Sequence, residues 1–121
     1  MGFRELLAFK KSFSLAMKIF EVSKHFPKEE KYSLTDQIRR ASRSVSANIS
    51  EAYRKRKYPK HFVSKLSDSD SENSETQTWL MFALRCDYIN ETTYNNLSSE
   101  NSEVGKLINY MINNPEKFGA K

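Results

Sequence analysis

The chain has 121 residues, with 20 Lys+Arg against 15 Asp+Glu and a formal charge of +5 at pH 7. That length supports one domain with a real core, and three glycines and three prolines leave too little turn material for an all-β fold. The lone Cys86 excludes an intrachain disulfide, and no signal peptide or membrane-length apolar run occurs, so a soluble cytoplasmic protein is expected.

Long runs with little glycine or proline to punctuate them predict four helices, at about 3–25, 33–57, 59–88 and 93–113, in an all-α, antiparallel, up-and-down four-helix bundle spanning residues 1–121 as one domain. The first run is apolar around much of its circumference. Leu6, Phe9, Phe13, Ala16, Met17 and Phe20 form one stripe, and Ala8, Leu15, Ile19 and Val22 form another. A helix in a monomeric bundle normally buries one stripe. Leu15, Ile19 and Val22 are therefore predicted to face a second copy of the chain; the competing reading is a wide arc packed inside one subunit. Pro27 bars continuation.

The second run opens at Ser33, with Asp36 three residues on, an N-cap arrangement. At about 100° per residue, Leu34, Ile38, Ala41, Val45, Ile49 and Ala52 make a core stripe. Beside it the reading places Gln37, Arg40, Ser44, Asn48 and Glu51 as a polar stripe bordering the core. Unpaired polar groups there would cost about 1–3 kcal/mol each, so they are expected to form a hydrogen-bonded structural network. Arg39, Arg43, Ser50, Arg54 and Lys57 are assigned to the solvated side.

Pro59 suits the first turn of the third helix. Its middle, SDSDSENSETQT at 67–78, is polar between apolar flanks. Asn73 and Gln77 share a face with Phe62, Leu66, Leu80 and Leu84, and this segment, Glu75 included, is expected to meet the polar stripe of the second helix. A capping box at Ser69 and Glu72 that starts a separate helix is the competing reading. Trp79, beside Phe82 and Cys86, is assigned to a contact between subunits because the core arc has its own occupants, and Cys86 is read as a buried, unreactive thiol. The fourth run has one stripe, Tyr94, Leu97, Val104, Leu107, Ile108, Met111 and Ile112, and NPEKFGAK is read as a frayed tail.

His25 and His61 lack the cysteine or paired-histidine spacing that holds a metal. Asp68, Asp70, Glu72 and Glu75 read as charge partners of the basic helices. No Walker loop, GxGxxG or nucleophile elbow occurs. No enzyme activity, cofactor or metal is expected. The feature with most functional content is AYRKRKYPKHF, residues 52–62. Arg54, Lys55, Arg56, Lys57 and Lys60 could neutralise phosphates, an unpaired base could stack on the interleaved Tyr53, Tyr58 or Phe62, and Arg39 and Arg43 would extend the patch. The bland alternative is a solvated helix end balanced by the acidic stretch. RNA or another nucleic acid is one expected partner, an acidic protein the other, and an oligomer would repeat the patch for a long polyanion.

FPKEEKYSLTDQIRRASRSVSANISEAYRKRK followed by SETQTWLMFALRCDYI resembles the four-helix bundle proteins encoded within 23S rRNA intervening sequences, and the likeness runs from FRELLAFK to NPEKF. The resemblance implies a ring, typically a homopentamer, and kinship with the basic, nucleic-acid-binding accessory proteins of diversity-generating retroelements. It favours RNA over DNA. The family motif maps onto Gln37, Arg40, Ser44, Asn48, Ile49 and Glu51, then Glu75, Thr76 and Trp79. Family members often have glycine after the glutamate, whereas this chain has Ala52, which favours uninterrupted helix.

Overall fold

Helices form where the sequence leaves long runs unbroken, and they stop where it supplies a break. In the computed structural model, which describes residues 2–121, these are α1 (Leu7–Ser23), α2 (Leu34–Arg54), α3 (Pro59–Arg85) and α4 (Glu91–Asn113). Three short 3-10 turns, Phe3–Glu5, Lys28–Glu30 and Pro115–Phe118, make up the remaining regular structure, and there is no strand among the described residues. Pro59 occupies the first turn of α3, and that helix runs unbroken through the polar segment for 27 residues. Serine and asparagine disfavour a helix interior only weakly, so burial of the flanking apolar faces carries the helix across. At α4, Asn90 accepts a 2.8 Å bond from the Thr93 amide, a side-chain N-cap.

The start of α2 is capped differently from the expectation. Ser33 makes no capping bond of its own. Glu30 instead reaches forward, accepting from the Leu34 amide at 3.2 Å and from the Ser33 hydroxyl. Its other oxygen accepts from Tyr88 at 2.7 Å, which ties this corner to the α3–α4 connection. These three donors hold the Glu30 carboxyl below the usual carboxylate range, and the same bond pushes the Tyr88 phenol up to about 12.

Cross-helix bonds fix the topology. Ser12 meets Ser46 and Arg39 meets Ser23, so α1 and α2 run antiparallel. Ser69 with Val45 and Lys65 with Glu51 do the same for α2 and α3. Asn73 with Asn101 and Gln77 with Tyr94 set α3 against α4, and Lys18 with Glu100 and Lys11 with Glu103 close α4 onto α1. Each helix thus packs on two neighbours with no diagonal contact among the described residues, the up-and-down bundle that short connections favour.

All six members of the α2 core stripe are buried. The core also carries a belt of small polar side chains. Asn73 and Asn101 exchange bonds with each other's backbone carbonyls at 2.9 and 3.0 Å, and Ser69 donates to the Val45 carbonyl at 2.8 Å. No buried side-chain nitrogen or oxygen among the described residues lacks a partner. The pairing satisfies groups whose burial would otherwise cost about 1–3 kcal/mol each. Gly105 makes room for it, since a Cβ there would stand 3.2 Å from the Asn73 amide nitrogen.

Two expectations are corrected. Leu15 and Ile19 are buried in the subunit's own core, and Val22 packs half-buried against it, so these three do not form a surface for a second copy. Most of the other stripe stays outside: Phe13 is 53% and Met17 47% exposed, with Phe9 and Phe20 half-buried beside them, while Leu6 and Ala16 are buried. The core takes the Ala8–Ser12–Leu15–Ala16–Ile19 arc, which draws Ala16 from that stripe. The tail is also ordered rather than frayed. Gly119 adopts φ +85°, a left-handed conformation that favours glycine, and this returns the buried Ala120 to the core.

Candidate nucleic-acid interface

The two adjacent arginines of α2 lie opposite to the expectation. Arg39 is half-buried: its Nε donates to Ser23 Oγ at 2.7 Å and its guanidinium lies 4.7 Å from the Phe20 ring centroid. Arg40 has a side chain 75% exposed and pairs with Asp36 one turn earlier on its own helix at 2.9 Å. At about 100° per residue, Arg40 stands about 140° and Arg39 about 120° from the centre of the core stripe, on opposite flanks, so what separates them is the neighbour each meets. Arg39 lies on the α1 side. From there its long alkyl stem can lie over Phe20.

The proposed network around Arg40 is therefore not a buried one. Gln37, Arg40 and Glu51 are exposed, and Ser44 and Asn48 are half-buried along the α2–α3 groove. One bond links this row to α3, from Lys65 to Glu51 at 2.8 Å, and it raises the Lys65 pKa. Glu75 bonds within its own helix, accepting from Trp79 Nε1 at 3.2 Å. Trp79 is half-buried beside the exposed Phe82. Cys86 is exposed, not buried, because α3 ends at Arg85 and the thiol stands on its C-cap.

The basic segment sits at the opposite end of the bundle, where α2 turns into α3. Arg54, Lys55, Lys57 and Lys60 are exposed. Arg56 is half-buried, its guanidinium 3.6 Å from the Tyr53 ring centroid and its Nε donating to the Tyr53 carbonyl at 2.8 Å. Of the interleaved aromatics, Phe62 is fully buried and Tyr53 nearly so, which removes both as stacking surfaces. Tyr58 remains, 56% exposed and in contact with the His61 ring. Arg43, although on the same flank of α2 as Arg54, lies about 16 Å away along the helix at 1.5 Å per residue, against Phe20.

Arg54, Arg56 and Lys57 line an open cavity of about 880 Å³ together with Arg4, Glu5 and Tyr53. The chain's first turn thus brings in Arg4, a cation that linear reading of 52–62 could not supply. Among the described residues none of these four cations has a carboxylate within ion-pair distance; the ion pairs lie elsewhere. Cations at the end of α2 suit its dipole, but Lys57 and Lys60 crowd the start of α3, whose first turn has no acidic residue. There the dipole favours anions. On the other side of α2, burial raises the Glu72 pKa, with the Glu75 and Asp68 carboxylates adding to the effect. No group of three or more His, Cys, Asp or Glu among the described residues could hold a metal, and no described helix is long and apolar enough to cross a membrane.

These features make the chain a small four-helix bundle protein with a cation-lined end. Residues 4–110 match the family described as 23S rRNA-intervening sequence protein, and the chain belongs to that family. It is also similar to the crystal structure of a protein of unknown function from the S23 ribosomal protein family of Bacteroides thetaiotaomicron VPI-5482. The two are 30% identical over 88% of this chain and 96% of that one, with a TM-score of 0.80. No curated protein matches the chain.

Proposed function

We propose that the protein is a non-enzymatic, cytoplasmic, homo-oligomeric bundle that binds single-stranded nucleic acid, RNA in preference to DNA, through the cation-lined end. The observation that carries this reading is the cavity in which Arg4, Arg54, Arg56 and Lys57 converge with one opposing carboxylate, Glu5, and no ion-pair partner among the described residues. Such a set neutralises phosphates and is steered to a polyanion at long range. Lys55 and Lys60 extend it, and Tyr58 offers a ring for an unpaired base. Arg39 and Arg43 belong to a different surface and are not part of this set.

The closed ring, a homopentamer as the resemblance implies, belongs to the same proposal and would present several such ends together. So does the kinship with retroelement accessory proteins. Titration of a fluorescent single-stranded RNA tests the binding. Arg54→Ala with Lys57→Ala is expected to weaken it at least tenfold, and unchanged affinity would contradict the assignment. Arg56 is a poorer probe because it also packs on Tyr53.

An acidic protein partner is the second reading, favoured by the same cations. Nuclease treatment during co-purification separates the two, since a protein partner survives loss of RNA.

A further inference from the structure

The cavity at the basic end concentrates more charge than a strand passing through it would use. A surface that tracks an internal single strand spreads its cations along a groove that follows the backbone. In this chain Arg4, Arg54, Arg56 and Lys57 converge on one hollow of about 880 Å³, against one carboxylate, Glu5, among the described residues. That volume lies within the range of about 300–1,000 Å³ that small-molecule sites occupy. Three parts of the chain wall it: the first turn, the α2–α3 corner and the tail at Gly119.

The hollow offers little to a base and much to a phosphate. Tyr53 is buried against the Arg56 guanidinium, and Phe3 is half-buried, edge-on to Phe9 at 5.0 Å. Arg56 is held in place before any anion arrives. Its Nε donates to the Tyr53 carbonyl at 2.8 Å, its guanidinium lies 3.6 Å from the Tyr53 ring centroid, and a Cβ at Gly119 would stand 3.3 Å from its Nη1. A side chain fixed on these sides loses little freedom on binding, and its planar fork suits two oxygens of one phosphate.

We infer that this cavity takes a 5′-polyphosphate, a run of directly linked phosphates on a nucleoside, whether at the start of an RNA or on a free nucleotide. The inference rests on the proposed nucleic-acid reading and deepens it by naming the part of the strand that enters. An internal phosphate carries a single charge and is separated from the next by a ribose. A terminal phosphate carries about 1.5–2 charges at neutral pH and is joined to its neighbours through shared oxygens. The second arrangement places enough anion in one hollow to engage four converging cations. Lys55, Lys60 and the exposed Tyr58 lie outside the cavity, where they would meet the nucleotides that follow.

Fluorescence anisotropy on the full chain tests this with RNAs of one sequence labelled at the 3′ end. One carries a 5′-triphosphate and one a 5′-hydroxyl; a third, with a 5′-hydroxyl, is about three nucleotides longer to match the total charge. The triphosphate RNA is expected to bind about tenfold tighter than either. Arg4→Ala with Lys57→Ala, both exposed, is expected to bring the three within about twofold of one another. Arg56→Lys keeps the charge but loses the fork, and should lower the triphosphate preference while leaving the 5′-hydroxyl affinity unchanged. Equal affinity for the triphosphate and charge-matched RNAs would overturn the inference and leave RNA binding at this end standing. A preference that survives Arg4→Ala with Lys57→Ala would overturn its placement in the cavity. Calorimetric titration with ATP separates the two sources: uptake of ATP assigns the site to free nucleotide, and triphosphate preference without ATP uptake assigns it to the RNA end. A chain that takes up ATP but no RNA would refute the proposed function alone, and one that binds neither would refute both.

Discussion

Removing the Arg39 side chain takes away a 2.7 Å bond to Ser23 and the cation over Phe20, whereas Arg40 loses an exposed pair with Asp36. Urea denaturation is expected to show Arg39→Ala costing about 1–2 kcal/mol and Arg40→Ala less than about 0.5 kcal/mol; equal losses would refute the contacts assigned to the two arginines. The buried amide pair gives a second case. Asn101→Ala leaves the Asn73 side chain short of a partner and should cost about 1–3 kcal/mol. Its position was legible, since Asn101 falls on the Leu97–Val104–Ile108 stripe, but a reading that follows apolar residues alone passes over it. Ser12, Ser46, Ser69 and Thr76 are buried on core stripes for the same reason. Glu30 and Tyr88 make stability depend on pH at both extremes. The depressed Glu30 pKa gives stabilisation present above its unfolded value and lost as pH falls through the folded one. Tyr88, raised to about 12, contributes below its ordinary value of 10.0 and loses that contribution as pH climbs toward 12. The Tm gap between wild type and Tyr88→Phe should accordingly hold at neutral pH and close above the ordinary phenol range.

At the scale of elements, periodicity located the helices because each has a buried apolar stripe, and proline placed the start of α3. What it could not settle was which of two stripes α1 turns inward. Both satisfy a 3.6-residue period, and the arc that is buried falls partly between them, joining Ser12 and Ala16 to Ala8, Leu15 and Ile19. Nor could it place the tail, whose return to the core depends on the left-handed turn at Gly119. Deleting residues 115–121 removes Phe118 and Ala120 from the core edge and one wall of the cation-lined cavity. Faster hydrogen exchange at the ends of α2 and α4 is expected in that truncation, and unchanged exchange would mean the tail adds nothing.

For the whole molecule, the basic end was visible as AYRKRKYPKHF but its composition was not. Folding withdraws Phe62 and Tyr53, sends Arg39 and Arg43 to another side, and brings Arg4 from the far end of the sequence. Such exchanges come from tertiary packing of α1 on α2, which no linear spacing encodes. The charge of +5 is unevenly spread, with cations at one end and on one side that have no ion-pair partner among the described residues, and carboxylates on α3. That asymmetry is the physical basis for the proposed contact with a polyanion. Its most direct test is the salt dependence of single-stranded RNA binding by the wild-type chain. Phosphate neutralisation by Arg4, Arg54, Arg56 and Lys57 predicts that log K falls linearly with log salt, with a slope of about −0.7 per phosphate neutralised. A shallower slope is expected in Arg54→Ala with Lys57→Ala. An affinity that stays flat across the salt series, or a slope those substitutions leave unchanged, would contradict nucleic-acid binding at this end of the bundle.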